Sequence, residues 1–150
     1  MTGNDVSRRE SGTLAVASTS LGPWKTAAAV GAVGGAAALG IDLISLHWSL
    51  SILAGPAGIG LFLFFLVGGA GSVLTKKGGD RRLRRWAAEH PWQTAAVPAA
   101  GLFVTNTLTE YFLSTSSGVF SSIFTALWHA IILFGIVGVV GAVAGSRNRG

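Results

Sequence analysis

Cysteine is absent from the 150-residue chain, which excludes disulfide bonds and thiolate metal sites and leaves the redox compartment open. Charge is also scarce: 11% of the residues are charged, whereas a soluble domain carries about 25%. Asp42 is the one charge between residues 26 and 74, and Glu110 is the one charge between residues 93 and 146. Such runs are typical of membrane-spanning helices, each of which needs about 20 apolar residues.

The common catalytic motifs are also missing from the sequence. There is no GxSxG, no P-loop, no HExxH and no GxGxxG between a strand and a helix. No tight cluster of histidine and carboxylate residues predicts a zinc site. His47 and His129 are expected at different depths in the bilayer, which disfavours haem ligation. We therefore expect neither an enzyme activity nor a cofactor.

What the chain does contain is four long apolar segments. They predict an all-α integral membrane protein, a four-helix transmembrane bundle within residues 23–146. The predicted spans cover residues 26–46, 50–74, 93–113 and 120–144. Residues 1–22 are small and polar and predict a disordered tail, and residues 147–150 form a second short tail.

The basic residues predict the orientation of the bundle. All eleven Lys and Arg residues lie in the N-terminal segment, in the loop 75–92 or in the C-terminal tail. Positive segments stay in the cytoplasm, so we expect a protein of the inner cell membrane with both termini cytoplasmic. In the loop, Asp80 is the expected N-cap of a short amphipathic helix that lies at the membrane surface.

The loop also predicts a binding surface for lipid. Its cationic side chains are expected to contact anionic headgroups; they are Lys76, Lys77, Arg81, Arg82, Arg84 and Arg85. Nucleic acid is a disfavoured partner, because basic residues clustered beside apolar spans usually set membrane orientation.

A short sequence recurs in the two halves of the chain. Pro23-Trp24-Lys25-Thr26-Ala27-Ala28 returns 68 residues later as Pro91-Trp92-Gln93-Thr94-Ala95-Ala96, and Asp42 falls on Glu110 at the same offset. The pattern predicts two helical hairpins arranged as parallel repeats. Convergence is the alternative, because proline and tryptophan both favour helix starts at a membrane interface.

The two acids within the spans are the candidate ion or proton site, with Asn106 and His129 as polar companions. An ionisable residue within a span usually faces protein or water rather than lipid. Two other interpretations stay open: hydrated carboxylates at the membrane border, and polar contacts that hold helices together. His129 by itself is more simply a hydrogen-bonded residue of the helix core.

Small residues predict where helices pack closely. Gly31 and Gly35 form a GxxxG pair in the first span, and Gly135 and Gly138 belong to a stripe of small residues in the last. The stripe could serve contacts within one chain or between copies.

Two functions fit these observations. The first is a small bacterial membrane assembly or accessory protein that acts through helix packing and a basic cytoplasmic face, for example within a secretion, transfer or respiratory complex. The abundance of arginine, alanine and glycine is what suggests a bacterial source. The alternative is a small oligomeric transporter or channel that uses Asp42 and Glu110.

Overall fold

The computed structural model describes residues 3–44, 50–74, 80–113 and 118–147, and every regular element in them is helical. The α-helices, numbered in chain order, are α1 (Gly3–Thr19), α2 (Trp24–Ile44), α3 (Ala54–Leu74), α4 (Arg81–Glu89), α5 (Pro91–Leu113) and α6 (Val119–Arg147). One 3₁₀ turn, Leu50–Leu53, precedes α3. The chain is an all-α protein over these residues.

Three of the described helices, α2, α3 and α6, are long and apolar enough to cross a membrane. Many of their large apolar side chains point outward, as lipid contact requires; Val33, Ile44 and Phe120 are 71%, 82% and 90% exposed. α5 has 23 residues, but its threonines, Asn106 and Glu110 make it less apolar. The four-span bundle predicted from the sequence therefore stays a prediction for α5.

The helices associate in two antiparallel pairs. α2 packs mainly against α3, which we call the first helix pair, and α5 packs mainly against α6, the second helix pair. α3 joins the pairs, because it also contacts both α5 and α6. The core lies where α3 meets the second pair and is built on four buried residues, Ala95, Leu102, Leu133 and Val137.

Glycines bring α2 and α3 together. A Cβ atom on Gly31 would lie 2.6 Å from the carbonyl oxygen of Gly60, and one on Gly35 would lie 3.1 Å from that of Pro56. Both distances are too short for an ordinary side chain, so the backbones approach as a GxxxG pair allows. This is the face of α2 that the sequence assigned to helix packing.

Two glycines of the stripe predicted on α6 have different surroundings. A Cβ atom there would meet nothing within 4 Å, whereas one on Gly138 would clash with the ring of Trp92. The buried residues of α6 include Ala130, Leu133 and Val137, and position 135 lies beside that row rather than on it. Gly138 packs within the chain, and Gly135 does not.

A helix stands where the sequence predicts a disordered tail. Residues 3–19 form α1, and Ala15, Ser18 and Thr19 near its end are buried. The hydroxyl groups of Ser18 and Thr19 donate to carbonyl oxygens one turn earlier, at 2.8 Å and 2.7 Å. These bonds satisfy groups that would otherwise be unpaired on burial. Helix α1 could not be predicted from the sequence, because it has few apolar residues and depends on packing against α5 and α4.

Candidate functional site

A cavity of about 430 Å³ lies between α3, α5 and α6. Most of its lining is apolar, and we call it the polar cavity after the two polar side chains in that lining, Glu110 and His129. It is lined by Gly55, Gly58 and Phe62 of α3, by Glu110 of α5 and by His129 and Ile132 of α6. Two of the predicted site residues, Glu110 and His129, therefore share one cavity although they belong to different helices.

Asn106 is the buried polar residue beside this cavity. It lies one turn before Glu110 on α5, is 1% exposed, and its Nδ2 is 3.4 Å from His129 Nδ1. Its Oδ1 atom has no hydrogen-bond partner among the described residues. A Cβ atom on Gly58 would lie 3.2 Å from that oxygen, so the absence of a side chain at Gly58 lets α3 approach Asn106 closely.

The contact between Asn106 and His129 depends on the protonation of the imidazole. With the amide NH₂ facing Nδ1, the ring nitrogen accepts and the ring is neutral with its proton on Nε2. If Nδ1 carries a proton, the amide must turn so that Oδ1 accepts it. The ring is also held edge-on by Phe62, at a centroid distance of 6.2 Å.

Asp42 lies next to the cavity but does not line it. Its Oδ2 would be 3.9 Å from a Cβ atom on Gly55, and its side chain is half-buried. Gly55 belongs to the first turn of α3, where the helix dipole favours a negative charge. Asp42 therefore lies beside the first turn of α3, a favourable position for its negative charge. Of the four predicted site residues, the structure groups Asn106, Glu110 and His129.

The predicted lipid-binding residues fall partly within the described chain. Asp80 caps α4 by accepting from the backbone N–H of Arg82 at 2.8 Å, which confirms the expected N-cap. Arg81, Arg82 and Arg85 are exposed and Arg84 is half-buried. Lys76 and Lys77, as well as His47 and Trp48, lie outside the described residues.

Sequence reasoning missed a contact that occurs in both helix pairs. A Cβ atom on Gly68 would clash with the ring of Trp24, and one on Gly71 would clash with Pro23. In the second pair, Trp92 lies against Gly138 in the same way, and Pro91 lies against Gly141. We call this contact the Pro-Trp clasp.

The aromatic geometry of the two clasps is nearly identical. Trp24 and Phe64 have ring centroids 5.2 Å apart with an interplanar angle of 47°, and Trp92 and Phe134 have 5.3 Å and 45°. The signal in the sequence is Phe-x-x-x-Gly-x-x-Gly, which begins at residue 64 and again at residue 134. An alignment of α3 with α6 would have found it.

The described residues contain no group of three or more histidine or carboxylate side chains that could hold a metal ion. No family model matches the chain, and neither the curated proteins nor the solved structures give a significant match. The candidate functional sites are therefore the polar cavity and the surface of α4.

Proposed function

We propose that the chain is a multi-pass protein of the cell membrane in which α2, α3, α5 and α6 all cross the bilayer. The 23 residues of α5 exceed the roughly 20 that a span needs. Its polar residues Thr94 and Asn106 are buried against other parts of the chain, so that they avoid lipid.

The proposed orientation has both termini in the cytoplasm, because all Lys and Arg residues fall in segments on that side. Reporter fusions at Gly79 and after Gly150 should report the cytoplasm, and a fusion at Ser116 should report the exterior. A cytoplasmic signal at Ser116 would contradict the four-span arrangement.

The two helix pairs are, in this proposal, copies of one ancestral hairpin. The recurring Pro-Trp sequence is joined by a matching Phe-x-x-x-Gly-x-x-Gly sequence, and the matching residues make matching contacts. Convergence explains a proline and a tryptophan at a helix start, but it does not explain the same partners on the second helix of each pair.

The proposed activity is the passage of protons or small cations through the polar cavity, as in a small transporter or channel. The single observation that carries it is the grouping of Glu110, His129 and the unpartnered Oδ1 of Asn106 within otherwise apolar helices. Intramembrane ionisable residues are costly to bury and usually mark an ion or proton route. Glu110 is assigned the central role because it lines the cavity.

Flux into liposomes tests this activity. Reconstituted protein should accelerate proton or sodium flux, and Glu110→Gln should reduce the flux to the background of empty liposomes. Asp42→Asn is the matched control, since it removes the corresponding acid of the first helix pair, which does not line the cavity. Equal loss of flux in both variants, or in neither, would contradict the assignment to Glu110.

A second function, an assembly or accessory role, is favoured by the surface of α4. This nine-residue helix exposes Arg81, Arg82 and Arg85 and buries Ala87. Arg85 also pairs with Glu89 at 2.9 Å, and each arginine that meets an anionic headgroup contributes about 1 kcal/mol. Replacing the three arginines with glutamine should remove the extra thermal stability that anionic lipid gives the protein in nanodiscs. If anionic lipid stabilised the variant as much as the wild-type protein, the surface of α4 would be excluded as the lipid-binding surface.

A further inference from the structure

The size of the polar cavity points to a ligand larger than a proton or a metal ion. Its volume of about 430 Å³ falls in the range of about 300–1,000 Å³ that is usual for small-molecule pockets. This inference rests on the proposed function, because it concerns the same cavity and the same carboxylate. It differs in naming the class of cation.

The charge in the cavity lining favours a cationic ligand. Glu110 is the one carboxylate in the lining, which contains no lysine or arginine. The arginines of α4 and Arg147 lie beyond the opposite ends of α5 and α6. From Pro91 to Glu110 the helix rises by about 28 Å at 1.5 Å per residue. No described basic side chain in these segments can therefore neutralise Glu110 from within the cavity.

The rest of the lining is apolar and suits the body of an organic cation. Phe62 and Ile132 face the cavity from α3 and α6, together with Ile59 and Leu63. An inorganic ion would leave this surface in contact with water, whereas an alkyl chain would cover it. The face of Phe62 also attracts a cation when one lies within about 6 Å of the ring.

The carboxylate of Glu110 specifies the head group. Its oxygens are acceptors in the cavity lining, and an N–H of a cation that donates to them makes a charge-assisted hydrogen bond. We infer that the cavity binds an amphipathic ammonium ion, with its N–H groups donating to Glu110 and its alkyl chain on Phe62 and Ile132.

Titration calorimetry with the whole protein in detergent tests the inference, with n-butylammonium as the probe and a protein-free detergent blank. Saturable binding is expected for n-butylammonium and none for n-butanol, which has the same chain without the charge. Glu110→Gln should weaken binding by about tenfold or more, since a charge-assisted contact is lost. Asp42→Asn should leave it unchanged.

A second variant keeps the carboxylate and fills the apolar part of the cavity. Ile132→Trp should weaken n-butylammonium binding while methylammonium still binds. This variant tests the inference even if Glu110→Gln fails to fold. Absence of n-butylammonium binding to the folded wild-type protein would overturn the inference. If flux of protons or sodium still depends on Glu110, the proposed function survives that result. Glu110-dependent binding without any flux would instead remove the transport activity alone.

Discussion

Both helix pairs contain the Pro-Trp clasp, but they differ in the side chains near the end of the pair that lies opposite the clasp. In both pairs the Pro-Trp sequence lies against glycines of the second helix, with ring distances of 5.2 Å and 5.3 Å. Counting along the repeat, Asn106 takes the place of Ala38, and His129 takes the place of Ile59. The second pair thus carries polar side chains at positions where the first pair has apolar ones.

The residues that stabilise the helix pairs are different from the residues that form the candidate site. The clasp occurs in both pairs and needs only small residues and two rings, and the first pair adds a close approach of the backbones at Gly31 and Gly35. The polar cavity requires Asn106, Glu110 and His129, which add little apolar burial. A fold that is stable without these residues can tolerate a site whose buried polar groups lack some of their hydrogen bonds.

The first pair has an additional support that the second lacks. The indole N–H of Trp24 donates to the carbonyl oxygen of Thr19 at 2.8 Å, so the clasp is tied to the end of α1. Trp92 makes no such bond within the described part of the chain and is 46% exposed. The two clasps are therefore alike in their ring packing and different in their hydrogen bonding.

Filling the clasp should have the largest effect on stability. Gly68→Leu and Gly138→Leu should each lower the free energy of unfolding by about 1–3 kcal/mol, the usual cost of overpacking. Gly135→Leu is the matched control on α6, where a side chain meets no atom within 4 Å. Thermal unfolding in detergent measures all three. If only one of the two clasp variants were destabilised, the two clasps would not contribute equally to stability.

Removing the buried amide should have a smaller effect of opposite sign. Asn106→Leu deletes an unpartnered oxygen, which costs about 1–3 kcal/mol when buried, but it also leaves His129 Nδ1 without its partner. We expect a net gain of about 1 kcal/mol in unfolding free energy. Chemical unfolding measures this quantity. A destabilised variant would show that Oδ1 contributes to the fold.

The tryptophan hydrogen bond should give the smallest effect. Trp24→Phe should cost about 0.5–1.5 kcal/mol more than Trp92→Phe, because both lose ring area but one also loses a hydrogen bond. The difference between the two melting temperatures isolates that bond. Equal losses would mean that α1 does not support the first clasp.

The helices could be predicted from the sequence because long apolar runs bounded by charge leave few alternatives. The close approach at Gly31 and the cap at Asp80 followed from local patterns. Helix α1 did not, because its burial depends on distant residues of α5. The grouping of Asn106, Glu110 and His129 depends on the rotation of three helices about one another, which side-chain spacing within one helix does not fix.

Charge-selective labelling of the polar cavity measures whether a cation reaches Glu110 from water. The chain has no cysteine, so Ile132→Cys gives one thiol in the cavity and Ile136→Cys gives one a helical turn further along α6 that does not line the cavity. Relative to a free thiol in solution, the thiol at 132 is expected to react faster with a trimethylammonium methanethiosulfonate than with a sulfonate one, and Glu110→Gln should remove this excess preference. The thiol at 136 should stay unreactive in the bilayer. Equal rates for both reagents at position 132, or no reaction there, would contradict a water-accessible cation site.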